Sequence, residues 1–129
     1  MFCYSIFYFI MSVAIVDDEK DLTDLFCEAL KVSGYDVCGF TEPFVAYNHI
    51  RENPKKYSVL ITDYRLPDIN GLELARKILE IDQEMKVIII SAFDELEQDD
   101  RFVYIKKIVP LADLLDLVNR ISISDVSKK

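Results

Sequence analysis

ITDYRLPDING, residues Ile61–Gly71, joins an apolar run to an acid and then to a loop rich in turn-forming residues. The apolar residues before Asp63 are typical of a buried strand, while Pro67 and Asn70-Gly71 favour a turn that opens a helix. A carboxylate at this junction lies at the carboxyl end of its strand, the edge where parallel α/β sheets bind ligands. The stretch therefore predicts an α/β fold and a functional acid.

The rest of the chain repeats this alternation of strand and helix. From Met11 onward, apolar strand-like runs alternate with segments of helical period, the pattern of a doubly wound parallel sheet with helices on both faces. The strands are predicted at 12–17, 36–40, 58–63, 86–91 and 102–107. A single α/β domain over residues 12–121 follows from this pattern.

The first predicted helix has the clearest amphipathic pattern. Its apolar residues fall three and four apart, and Gly34 ends it; they are Leu22, Leu25, Phe26, Ala29 and Leu30. The second predicted helix follows Pro43, carries Phe44, Tyr47 and Ile50, and ends before Pro54. The third begins near Gly71, and the last begins at Pro110, a residue favoured in the first helical turn.

The connection between the fourth and fifth predicted strands is unusually short. Ten residues, 92–101, separate Ser91 from Phe102, whereas a crossover that includes a helix takes at least about ten to twelve. We therefore expect the fourth of five helices to be shortened or absent.

Charge and composition limit the kinds of partner that the protein can be expected to bind. The 129 residues fit one domain, and 23 acidic against 15 basic residues give a net charge of −8. This charge argues against a nucleic-acid partner, because such binding depends on Lys and Arg at phosphates. It favours a bound cation or a basic partner instead.

The two ends of the chain lie outside the predicted domain. Residues 1–11 are apolar but lack a charged start and are too short to span a bilayer, so an over-long start or a strand extension is favoured over a signal or anchor. No membrane partner is therefore expected, and residues 122–129 form a polar tail. The odd number of cysteines, without metal-type or redox-type spacing, favours reduced thiols and a cytoplasmic location.

Polar side chains follow the predicted strands at one edge of the sheet. They are Asp17 and Asp18 after the first strand, Asp63 at the end of the third, Ser91 at the end of the fourth, and Lys106 and Lys107 at the end of the fifth. Each has a simpler interpretation. Asp18 or Asp21 can cap the first helix, and Asp63 can form a turn. Ser91 can cap its strand end, and Lys107 can be a solvated strand end. The sole histidine, His49, is interpreted as a surface helix residue.

Taken together, these groups favour a site for Mg²⁺ and a phosphoryl group. Neighbouring carboxylates repel each other unless a cation intervenes, and Mg²⁺ prefers carboxylate, water and phosphate oxygens. Lys107 and the Ser91 hydroxyl suit the remaining phosphoryl oxygens, and an ionised aspartate can attack phosphorus without a general base. The chemistry indicated is phosphoryl transfer to an aspartate.

The sequence resembles the receiver domains of two-component response regulators over about residues 12–121. The motif DYRLPDING matches the family pattern, and the resemblance implies that Asp63 is the phosphoacceptor. It further implies a Mg²⁺ site formed by Asp17, Asp18, Asp63 and the backbone carbonyl of Arg65. The implied fold is flavodoxin-like, with five parallel strands in the order 2-1-3-4-5.

The resemblance also implies which residues move together on phosphorylation, and we call them the switch residues. Ser91 followed by Ala92 matches the family's switch hydroxyl and its small neighbour, and Tyr104 matches its switch aromatic residue. Lys107 matches the site lysine, with Lys106 as the alternative. Ile108 stands where the family usually has a proline after a cis bond, and because a cis bond before a non-proline residue costs about 2.5–4 kcal/mol, we expect a trans bond there.

Several functions remain open. The first is a stand-alone receiver that a sensor histidine kinase or phosphotransfer protein phosphorylates on Asp63 and that then switches the binding of a downstream protein. A receiver-like interaction scaffold with weak phosphorylation-dependent output and a phosphorelay intermediate are the alternatives. An aspartate-nucleophile phosphatase is disfavoured because Arg65 stands where such enzymes place a second acid. An FMN site is disfavoured because no phosphate-binding loop follows the first strand.

Overall fold

The computed structural model describes residues 11–92, 99–107 and 110–127, with side chains as far as residue 121. Five strands form one parallel sheet in the order β2-β1-β3-β4-β5, so the expected topology is confirmed. The strands are β1 (Ser12–Val16), β2 (Asp36–Phe40), β3 (Val59–Asp63), β4 (Lys86–Ser91) and β5 (Val103–Lys106). Each lies within one residue of its predicted bounds.

The central position of β3 follows from its composition. All five of its residues are buried, and it pairs with β1 on one side and β4 on the other. Continuous apolar runs are typical of parallel strands covered on both faces, whereas the edge strands β2 and β5 include exposed residues. The apolar run before Asp63 thus places that residue at the end of the most protected strand.

Four helices are described, and we number them in chain order. They are α1 (Lys20–Val32), α2 (Pro43–Glu52), α3 (Gly71–Ile81) and α4 (Leu111–Ser127). Helices α2 and α3 cover one face of the sheet around Ala46, Ile50 and Ile78, while α1 and α4 cover the other around Leu30 and Leu114. The doubly wound arrangement predicted from the sequence is therefore present.

Two apolar residues of the predicted helices lie at the surface. Leu25 of α1 is 52% exposed and Phe44 of α2 is 44% exposed, because each helix is rotated so that other residues face the sheet. Helix α1 buries Phe26, Leu30 and the polar Thr23 instead. The apolar spacing predicted both helices correctly, but it wrongly included Leu25 in the buried stripe of α1.

His49 was interpreted as a surface residue, and this was wrong. Its ring is half buried, with its centroid 5.3 Å from that of Phe40 and 5.5 Å from that of Tyr57. Its Nε2 also lies 2.8 Å from the hydroxyl of Tyr57, a buried residue. The histidine therefore helps to close the core beside β2.

The last helix differs at both ends from its predicted bounds. Pro110 lies just before the helix rather than in its first turn, and its carbonyl accepts a hydrogen bond from the backbone N–H of Leu114. The helix continues to Ser127, so residues 122–127, expected in a polar tail, are helical.

Three predictions fall on residues that the structure does not describe. The apolar extension lies in residues 1–10, the shortened or absent helix between β4 and β5 in residues 93–98, and the expected trans bond before Ile108 in residues 108–109. Among the described helices, none combines the length and apolar character that crossing a membrane requires.

Candidate functional site

The carboxyl ends of the strands bring the predicted site residues to one edge of the sheet. Asp17 directly follows β1, Asp63 ends β3, and Ser91 ends β4. The parallel register places Asp63 opposite Ile90 of β4 and Ser91 opposite Lys106 of β5. Residues far apart in sequence are neighbours here because every strand runs in the same direction.

Three carboxylates form a cluster at this edge. Oxygen atoms of Asp17, Asp18 and Asp63 all lie within 4.8 Å of one another. Asp17 and Asp63 are only 4% and 5% exposed, whereas Asp18 faces solvent. The cluster is therefore a buried pair of acids with one acid at its mouth.

Hydrogen bonds fix the loop that carries Asp17. The backbone N–H of Glu19 donates to Asp17 Oδ1 at 2.9 Å. The hydroxyl of Thr23, a buried residue in α1, lies 2.9 Å from the Asp17 carbonyl oxygen and 3.1 Å from that of Glu19. Thr23 thus anchors the acidic loop to the first helix, a role that sequence reasoning missed. The available signal was a polar residue within the buried stripe of α1.

Burial makes the ionised form of this cluster costly. Burial raises the pKa of Asp17 to about 6, and the nearby charges of Asp63 and Glu19 add to the shift, although the Glu19 N–H and Lys107 oppose it. Burial likewise raises the pKa of Asp63, while the hydrogen bond and charge of Lys107 act in the opposite direction. A bound cation would relieve the same repulsion, and an all-oxygen ligand set suits a hard divalent ion.

Lys107, rather than Lys106, reaches the acids. Its Nζ donates a hydrogen bond to Asp63 Oδ2 at 3.1 Å and lies 3.7 Å from Glu19 Oε1. Burial tends to lower the pKa of this ammonium group, but the carboxylates of Asp63, Asp17 and Glu19 together raise it above its usual value. Lys107 therefore stays protonated beside Asp63.

The loop after β3 is closed against Asp63 by tight turns. Asp68 has a positive φ of 70°, and the Ile69 N–H donates to the Pro67 carbonyl across it at 2.7 Å. The Gly71 N–H then donates to the Tyr64 carbonyl at 2.7 Å. A side chain at Gly71 would overlap the Asp63 carbonyl oxygen, so only glycine fits without displacing the acid.

Asn70 begins α3, as the turn residues of the motif predicted. Its side-chain oxygen accepts a hydrogen bond from the Glu73 N–H at 2.8 Å, which makes it the N-cap of the helix. Arg65, whose carbonyl the family resemblance assigns to the metal, lies in the same loop, and its side chain is exposed. The loop thus joins the acid, the proposed backbone ligand and the start of α3 in one closed turn.

The two predicted switch residues share one face of the sheet. Tyr104 of β5 lies opposite Ile89 of β4, and Ser91 is two residues after Ile89 on the same side of that strand. Ile89 and Tyr104 both pack in the core under α2 and α3, and Ser91 is buried. Tyr104 and Ser91 are therefore diagonal neighbours across two strands.

Chemically, the site pairs a buried carboxylate with an ammonium group. Asp63 offers a carboxylate oxygen, Lys107 offers an ammonium group next to it, and Asp17 and Asp18 add oxygen ligands for a metal ion. Such an arrangement can receive a phosphoryl group on Asp63 and neutralise its charge.

Comparisons with known proteins give the same family for most of the chain. A family model described as the response regulator receiver domain matches residues 13–119. The response regulator receiver protein CpdR of Brucella abortus is 35% identical over 81 residues, which are 63% of this chain and 66% of CpdR. The chain also matches PgtA, a phosphoglycerate transport system transcriptional regulatory protein of Salmonella typhimurium, with 25% identity over 66% of this chain. The match spans only 20% of the length of PgtA.

A solved structure confirms the fold. A CheY-like response regulator receiver domain protein from Methanospirillum hungatei superimposes with a TM-score of 0.84. The match covers 93% of this chain and 99% of that protein at 24% sequence identity.

Proposed function

The chain belongs to the family of response regulator receiver domains, and from this premise we propose that it is a cytoplasmic phosphoacceptor of a two-component system. A sensor histidine kinase or a phosphotransfer protein supplies the phosphoryl group, and Asp63 receives it in a Mg²⁺-dependent reaction. Phosphorylation then changes the affinity for a downstream protein. The net charge of −8 supports a protein partner over a nucleic acid.

The contact between Lys107 and Asp63 carries this proposal. The 3.1 Å hydrogen bond between Lys107 Nζ and Asp63 Oδ2 supports the proposal, because an ammonium group beside this carboxylate could neutralise the charge of a phosphoryl group attached to it. Asp17 and Asp18, with the Arg65 carbonyl, would hold Mg²⁺, which supplies charge neutralisation at the phosphoryl oxygens. Lys107 and the Ser91 hydroxyl would bind the remaining oxygens.

In the transfer itself, Asp63 must be ionised, and its carboxylate needs no general base. Its carboxylate oxygen attacks phosphorus, the bond between phosphorus and the donor's histidine nitrogen breaks, and the electron pair returns to the imidazole. Lys107 favours the ionised carboxylate against the effect of burial on its pKa. The protein therefore acts mainly by positioning and by charge, and we propose no conventional enzymatic turnover of a separate substrate.

Phosphorylation with acetyl phosphate and Mg²⁺ tests the proposal. Intact-mass measurement should show the addition of one phosphoryl group to the wild type and none to Asp63→Ala. Lys107→Ala should lower the phosphorylation rate by about 100-fold, the size of effect seen when one charge-stabilising donor is removed, whereas Lys106→Ala should leave the rate near that of the wild type. No adduct on the wild type, either with acetyl phosphate or with a cognate kinase, would contradict the proposal.

The interaction scaffold makes a different prediction. Its motivation is the short connection between β4 and β5, with the loss of a proline after Lys107. The position of Lys107 against Asp63 supports the phosphoacceptor instead. If partner affinity is the same for phosphorylated and unphosphorylated protein, and for Asp63→Ala, the scaffold is the better description.

A further inference from the structure

Asp99, at the end of the short connection between β4 and β5, is held by two arginines. Its carboxylate accepts hydrogen bonds from Arg101 Nε at 2.9 Å and from Arg101 Nη2 at 2.6 Å. Arg76 Nε, from helix α3, lies 3.4 Å from Asp99 Oδ2. Asp99 therefore ties the connection to a helix on the same face of the sheet.

Several features distinguish this cluster from an ordinary surface ion pair. The Asp99 side chain is only 12% exposed, its contact with Arg101 is bidentate, and its Oδ1 also accepts from the Arg101 backbone N–H at 3.0 Å. The guanidinium of Arg101 holds the pKa of Asp99 well below its usual range. Low exposure and bidentate geometry are the conditions under which such pairs hold a fixed position.

The same residue holds the hydroxyl of Tyr104. The backbone N–H of Asp99 donates to Tyr104 Oη at 2.7 Å. The ring of Tyr104 is half buried and packs against the core under α2 and α3, the face that also carries Ser91. Arg76, Asp99 and Tyr104 thus form a continuous chain of contacts from α3 to the switch position.

We propose that Arg76 and Asp99 are positioning residues that hold Tyr104 in its unphosphorylated conformation. We call the three residues the α3 latch. This inference rests on the proposed function, because it concerns the response of the site to phosphorylation of Asp63. The latch gives the short connection between β4 and β5 a defined role, because Asp99 in that connection links Tyr104 to Arg76 of α3.

The physical consequence is a free-energy cost for moving Tyr104 out of its unphosphorylated conformation. If Tyr104 moves with Ser91 when Asp63 is phosphorylated, the hydrogen bond from the Asp99 N–H to the Tyr104 hydroxyl must break. The Arg76 contact with Asp99 opposes that movement because it keeps the backbone of residue 99 in place. Weakening the latch lowers the free-energy difference between the two conformations and makes switching easier.

Fluorine NMR of protein labelled with meta-fluorotyrosine tests the latch. The chain has seven tyrosines, and the resonance that is missing in Tyr104→Phe belongs to Tyr104. The variants are Asp99→Asn and Arg76→Gln, which remove the ion pair from either side. Glu73→Gln is the matched control, because it breaks the 3.0 Å pair between Glu73 and the same arginine without touching Asp99.

The spectra are recorded with Mg²⁺ alone and during titration with beryllofluoride, a phosphoryl analogue. Asp99→Asn and Arg76→Gln should shift the Tyr104 resonance in Mg²⁺ alone toward its beryllofluoride-bound position and lower the half-saturating beryllofluoride concentration about fivefold. Glu73→Gln should behave as the wild type does. An unchanged Tyr104 resonance and midpoint in both latch variants would overturn the latch.

Failure of the proposed function gives a separate result. In that case the wild-type resonance of Tyr104 does not respond to beryllofluoride at all. The shift between wild type and latch variants in Mg²⁺ alone still decides whether Arg76 and Asp99 position Tyr104.

Discussion

At the scale of single residues, burial decides the charge state of the acidic cluster. Asp17 is buried beside Asp63, and its raised pKa of about 6 means that the metal-free folded protein holds a proton there at a pH where the unfolded chain has lost it. Stability therefore falls as pH rises from about 4 to above 6. The same carboxylates that suit a metal ion weaken the fold when no metal is bound.

Asp17→Asn should stabilise the metal-free protein at neutral pH by about 1–3 kcal/mol, because the asparagine carries no charge to bury. The gain should vanish near pH 4, where Asp17 is already protonated in the folded state. Urea unfolding in EDTA at both pH values measures the two free energies. Equal stability of wild type and variant at neutral pH would show that the burial of Asp17 has no such cost.

At the scale of elements, the loop between β3 and α3 positions Asp63. Its backbone returns so closely on Asp63 that Gly71 has no space for a side chain. The N-cap of Asn70 and the turn across Asp68 fix where α3 begins. The motif therefore contains Asp63 and also supplies the loop that holds Asp63 in position.

Gly71→Ala should displace Asp63 and lower both stability and phosphorylation. The cost of overpacking is about 1–3 kcal/mol, and the phosphorylation rate with acetyl phosphate should fall because Asp63 no longer meets Lys107. Gly34→Ala is the control: Gly34 has a positive φ of 101° but open space around it, so that variant should lose stability by backbone strain and keep its phosphorylation rate. Normal phosphorylation of Gly71→Ala would contradict the argument.

At the scale of the whole molecule, the site is assembled from four strand ends. Unfolding separates Asp63 from the adjacent pair Asp17 and Asp18, so the unfolded chain has no comparable set of three carboxylates for a divalent ion. A ligand that binds only the folded state stabilises it by mass action. Binding of a metal ion at this cluster would therefore be linked to folding.

Mg²⁺ should raise the melting temperature of the wild type, with a stabilisation of about 2.7 kcal/mol when its concentration is 100 times the dissociation constant. Asp18→Asn should reduce this response because it removes one ligand of the cluster. Asp116→Asn, which changes an exposed acid on α4, is the control for charge alone. Calorimetry in MgCl₂ and in EDTA measures the shift, and an undiminished Mg²⁺ response in Asp18→Asn would exclude that residue as a ligand.

The sequence by itself determined the fold and the centre of the site. The apolar runs and their spacing predicted all five strands, most clearly the inner ones, because parallel strands covered on both faces are apolar along most of their length. Asp63 was predicted because it ends a buried strand at the edge where parallel sheets bind ligands, and because its motif resembles that of receiver domains. These features are patterns of residues close together in the sequence, and such patterns are visible in a single sequence.

Only the tertiary structure decided which residues meet. The pairing of Lys107 with Asp63, the anchoring of the Asp17 loop by Thr23, and the link from Arg76 through Asp99 to Tyr104 all join distant parts of the chain. Leu25 and His49 were misplaced for the same reason, since the rotation of a helix depends on what it packs against. Contacts between elements depend on register and packing angle, which the spacing of residues within one element does not contain.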